Sequence, residues 1–188
     1  MPPTRYKIAF IGYLITSLFF IYLGELLGRK LGNNLILIPI FGLLELGWFA
    51  YIYYAHTKNI AFLYSTVPVL ILLIYELSTT DFQALQQFQS YTRSMASLSL
   101  FLVTLYYSYH LIKNKWQTYS TSFFLFHAIV LVYFTYSCLY YLPLQVLITG
   151  NPENVLFFWL ANSVITLLFY LLTTIVLCKI TSKMNTQS

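Results

Sequence analysis

Charge is what this chain has least of. Only 8% of its 188 residues are Asp, Glu, Lys or Arg, against 59% hydrophobic, and so little polar surface cannot cover a soluble domain of this size. An integral membrane protein is what remains. The two cysteines, Cys138 and Cys178, lie in apolar runs that the topology below places near opposite faces, which argues against an intramolecular disulfide. No CxxC or Cys/His spacing suits a metal. HExxH, GxSxG and Walker motifs are missing, as is any neighbouring pair of carboxylates on one helix, so hydrolysis and phosphoryl transfer find no nucleophile or metal cage. No lysine sits within a span to form a Schiff base. The chain therefore leans away from an enzyme, and no catalytic residue, metal or cofactor is assigned.

What is present has the pattern of a bilayer protein. The net charge of +5 comes from Lys and Arg at the ends of apolar runs, which sets topology and is not a nucleic-acid footprint. Aromatic residues make up 20%, with 18 Tyr, suiting many crossings of the membrane interfaces. Apolar segments at roughly 8–28, 35–54, 60–77, 95–112, 121–142 and 155–178 are each near the ~20 residues a bilayer needs. These segments predict an all-α, six-transmembrane-helix bundle forming one domain over 1–188. The first run follows Arg5 and Lys7 like a secretory signal, but it is long and has no small-x-small cleavage site, so it reads as an uncleaved helix. With Arg5, Lys7, Lys58, Lys113, Lys115, Lys179 and Lys183 inside and Arg29, Lys30 and Arg93 outside, both termini are cytoplasmic in a bacterial inner membrane.

Several local signals shape the segments. Gly24, Gly28 and Gly32 at four-residue spacing favour close helix packing, with a homo-oligomer seam as the alternative. Pro39 falls in the first turn of the second segment, where its missing donor costs little, whereas Pro68 should kink the third, with Ser65 or a neighbour satisfying the freed carbonyl. Phe82, Leu85 and Phe88 recur at about three residues, predicting a short interfacial helix near 82–88. Pro143 should end the fifth helix, and residues 149–154 carry loop chemistry before the sixth.

The candidate site begins with Glu45. This acid lies ~13 Å from the inner end of its helix and His127 lies ~12 Å from the same face, at ~1.5 Å per residue. Equal depth suggests that they bond or exchange a proton, because intramembrane ionisable groups tend to mark function. The plainer reading leaves Glu45 protonated on a backbone carbonyl and His127 on a Tyr hydroxyl. Asn162 can line the same cavity or join helices. A second cluster at the outer ends comprises Glu25, Glu76, Asp81, Arg29, Lys30 and Arg93. There Arg93 can anchor an anion with Glu25 or Glu76 as counter-ion, although a solvated rim explains Lys30 and Asp81 equally.

Glu25, Asn33-Asn34, Leu44-Glu45, the run from Phe88 to Ser94, and Trp159 with Asn162 together resemble an uncharacterised family of small multi-pass bacterial membrane proteins. Members are often encoded beside, or similar to, the sensor regions of histidine kinases. They often carry a further helix before the first one here, and a His near the start of the second helix where this chain has Pro39. The resemblance implies a signalling partnership and assigns no ligand. The expectation is a sensor or accessory subunit that binds a lipid-soluble or outer-face ligand among Glu25, Glu45, Glu76, Arg93 and His127. With no output domain of its own, it would work through a protein partner. Alternatives are a small transporter or intramembrane enzyme using Glu45 and His127, or a structural subunit of a larger complex.

Overall fold

The computed structural model describes residues 3–31, 36–79, 91–115, 121–150 and 152–185. Among the described residues seven helices follow one another: α1 (Pro3–Leu31), α2 (Leu37–Thr57), α3 (Ala61–Tyr64), α4 (Thr66–Thr79), α5 (Tyr91–Lys115), α6 (Thr121–Gly150) and α7 (Pro152–Asn185). No strand occurs among the described residues. Six stretches of the described residues have the length and hydropathy to cross a bilayer: Ile8–Lys30, Leu37–Thr57, Ala61–Thr79, Tyr91–Lys113, Phe124–Tyr141 and Leu160–Lys179. The protein is an all-α, multi-pass membrane bundle. The interfacial helix expected near 82–88 lies outside the described residues, as does Gly32 of the glycine series. Gly24 of that series is buried and Gly28 half-buried.

Apart from its first residues, the chain divides into two compact units, Arg5–Leu100 and Phe101–Ser188. In the first, α1 and α2 join through rings, one of them laid on a glycine. Phe20 meets Phe41 at 5.6 Å between centroids, Tyr13 meets Phe49 edge-on at 5.2 Å, and the Trp48 ring covers Gly12 so closely that a Cβ there would lie 2.7 Å from it. α2 ends where Lys58 adopts a left-handed conformation at φ 60° and its N–H reaches the Tyr54 carbonyl at 2.7 Å, a common helix stop. Asn59 then turns the chain, accepting the Ala61 N–H on its side-chain oxygen at 3.0 Å.

The third span breaks between α3 and α4 at Ser65, and Pro68 becomes the third residue of α4. A proline there lacks only a donor that the first turn would not use, while the break spares its ring a clash with the carbonyl four residues back. Hydroxyls patch the junction: Ser65 Oγ donates to the Phe62 carbonyl at 2.6 Å and Thr66 Oγ1 to that of Leu63 at 2.7 Å. Pro143 behaves otherwise than expected, since α6 runs through it to Gly150. A proline inside a helix removes one backbone donor and crowds the carbonyl four residues back, which a helix held by its neighbours can accept without ending. The loop expected over 149–154 shrinks accordingly, because α7 starts at Pro152, a favoured first helical residue.

The second unit is organised by α6 and α7 packed along each other. Tyr133 and Phe169 stack at 3.9 Å with planes 9° apart, and Phe134 completes the cluster at 6.3 Å from Phe169. These rings, with Val130 and Val176, form a buried apolar seam.

Candidate functional site

α5 starts at Tyr91, four residues earlier than the apolar pattern alone suggests, so Arg93 is its third residue and not a loop charge. Arg93 is 3% exposed. Burying a guanidinium within a span demands a counter-charge, and α2 supplies one. Arg93 Nη1 donates to Glu45 Oε2 at 2.9 Å. The other carboxylate oxygen, Oε1, accepts the Tyr13 hydroxyl of α1 at 2.7 Å. Both oxygens of a 1%-exposed glutamate are thereby satisfied by donors from two other helices.

Gly42 makes room for this arrangement. It lies three residues before Glu45 on the same face of α2, and a Cβ there would fall 2.9 Å from Arg93 Cδ, 3.2 Å from its Nη1 and 3.3 Å from Ala96 Cβ. The arginine stem thus lies directly against the α2 backbone. Phe41 borders it, its ring centroid 5.6 Å from Arg93 Cζ, in range for a cation–π contact. Tyr13 is held by rings: Phe10 at 5.6 Å and Phe49 at 5.2 Å. Ser17 and Ser97, one turn after Tyr13 and Arg93, return their hydroxyls to those residues' carbonyls at 2.9 and 3.0 Å, so neither adds an unsatisfied group to the core.

Equal depth suggests His127 as the partner of Glu45; the hydrogen bonds to the carboxylate come from Tyr13 and Arg93. His127 is buried in the second unit, where its ring lies 4.8 Å from that of Tyr107 and 5.2 Å from that of Phe126. Asn162 is half-buried on α7. The outer cluster separates into two parts. Glu25 is exposed and pairs with Arg29 one turn along α1, a solvated couple of small energetic weight. Glu76 is buried near the end of α4, and its oxygens accept the backbone N–H groups of Tyr91 at 2.5 Å and Thr92 at 3.2 Å. Lys30 is exposed, and Asp81 lies outside the described residues.

Tyr13 and Gly42 are the members of the site that the sequence reading passed over. Tyr13 is one tyrosine among 18, without a charge to single it out. Gly42 carried a usable signal, a small residue one turn from an intramembrane acid. Chemically the site is a neutral ion pair closed by a phenol. It can hold three helices in register, and it can open only if something else satisfies Arg93 and Glu45. Among the described residues no group of three or more His, Cys, Asp or Glu gathers to hold a metal. Comparison with protein-family models, curated proteins and solved structures finds no match to the chain.

Proposed function

We propose that the protein is a membrane sensor or accessory subunit whose working element is the Tyr13–Glu45–Arg93 network, and that it acts through a partner protein. One observation carries this reading: an arginine–glutamate pair, 4% and 0% exposed at its side chains, within segments long and apolar enough to cross a membrane. Such a pair is weak as a source of stability, because desolvation offsets most of its attraction, whereas removing one partner costs about 3–5 kcal/mol. It therefore suits an element with two discrete arrangements better than a passive strut. A lipid-soluble or outer-face ligand that competes for Arg93 or Glu45 would free α5 from α2, and its differential affinity would set the shift.

The orientation belongs to the same proposal. With Arg93 engaged inside the bundle, the outer side keeps Arg29 and Lys30 against seven basic residues on the inner side, favouring cytoplasmic termini in a bacterial inner membrane. The family resemblance points to signalling as well. The test is to replace the chromosomal copy in the native host by Glu45→Gln. The expected result is an altered transcript profile at an unchanged amount of protein in the membrane. A profile identical to wild type at equal amount contradicts the proposal, and one that merely follows a fall in amount favours a structural subunit.

A further inference from the structure

Glu76 reaches the two residues of α5 that immediately precede Arg93. Glu76 comes from α4, is 6% exposed, and spends its oxygens on the N–H groups of Tyr91 and Thr92. Those are the first two residues of α5, whose N–H groups have no acceptor within their own helix. A carboxylate is the group best suited to that place, since it meets both the free donors and the positive end of the helix dipole. Arg93 is the very next residue. The start of α5 is consequently gripped twice, by acids from different helices: Glu76 of α4 holds the backbone, and Glu45 of α2 holds the side chain one residue on.

We infer that Glu76 is a positioning residue for Arg93, fixing the depth and rotation at which α5 begins and hence whether the guanidinium meets Glu45. The geometry of a helix makes this lever steep. A slip of one residue moves a side chain about 1.5 Å along the axis and about 100° around it, enough to undo a 2.9 Å contact made beside Gly42, where Arg93 already lies in van der Waals contact with α2. A displacement of the end of α4 would in this way reach the buried pair through a single peptide unit. The inference rests on the network being the working element, and it supplies the route by which an event at that end of α4 acts on it.

The test reads the Arg93 guanidinium itself. The chain has three arginines, Arg5, Arg29 and Arg93, so protein labelled with nitrogen-15 at the arginine guanidinium, in lipid nanodiscs, gives three signal sets. The slowly exchanging one is assigned to Arg93 by its survival in Arg5→Lys and Arg29→Lys. Glu76→Ala is expected to speed that exchange at least tenfold, and Glu76→Gln, which keeps one acceptor oxygen, to speed it by less. If the alanine variant does not fold, the glutamine variant decides alone, with at least a threefold acceleration expected. Exchange as slow as wild type in a folded variant whose melting temperature has fallen overturns the inference and leaves Glu76 as a helix cap only. Because the readout needs no signalling output, it separates from the host experiment. Faster exchange with an unaltered Glu45→Gln transcript profile would retain the positioning role and remove the sensor.

Discussion

The two units of this protein solve the same problem with different chemistry. In Arg5–Leu100 rings also pack, but an ion pair and a phenol hydroxyl tie the helices together, with Arg93, Glu45 and Tyr13 on three separate helices. In Phe101–Ser188 the seam of α6 and α7 is built of rings, Tyr133 stacked on Phe169 with Phe134 beside them. In lipid, apolar contacts gain little from exclusion of water and rely on shape, so a ring seam is graded: a small defect costs a small amount. A buried charge pair is all or none, because losing one partner strands the other. The difference sets an all-or-none contact in the first unit against a graded one in the second.

That contrast can be broken most sharply at Arg93. Arg93→Met should destabilise the detergent-solubilised protein by about 3–5 kcal/mol, read as a large fall in melting temperature. Next comes Tyr13→Phe, which removes one donor to an ionised group and should cost about 2 kcal/mol while leaving the fluorescence of Trp48, packed on Gly12, unchanged. Gly42→Ala should cost about 1–2 kcal/mol by overpacking against Arg93, whereas Gly47→Ala, whose added Cβ meets nothing within 4 Å, should gain up to about 1 kcal/mol of helix propensity. Equal effects at the two glycines in a thermal melt would show that Arg93 does not lie against α2. In the ring seam, Phe169→Leu should cost about 1 kcal/mol, with no steep loss. A fall as large as that of Arg93→Met would erase the distinction between the units.

The spans were legible because length and hydropathy are summed over some twenty residues, and no single misjudged position changes the sum. Glu45, Glu76 and Arg93 were legible as candidates because charge within an apolar chain is conspicuous. Their pairing was not. Depth can be counted along a helix, but contact also depends on rotation about its axis and on the reach of the side chain, and Arg93 enters from the first turn of α5 where a sequence pattern reads a rim. Tyr13 was hidden by abundance. Pro143 misled because a proline can be carried inside a helix at the cost of one bond as well as end it, and α6 does not end there. Gly42 shows what was within reach: a residue without a side chain, one turn from an acid, announces that something large lies against it.

The central claim is that Glu45 and Arg93 hold each other. A double-mutant cycle with Glu45→Gln, Arg93→Gln and the pair together, followed by reversible unfolding in mixed micelles, tests it directly. The double variant is expected to be more stable than the sum of the singles allows, with a coupling of about 2–3 kcal/mol. Losses that add within about 0.5 kcal/mol, the behaviour of independent sites, would contradict it.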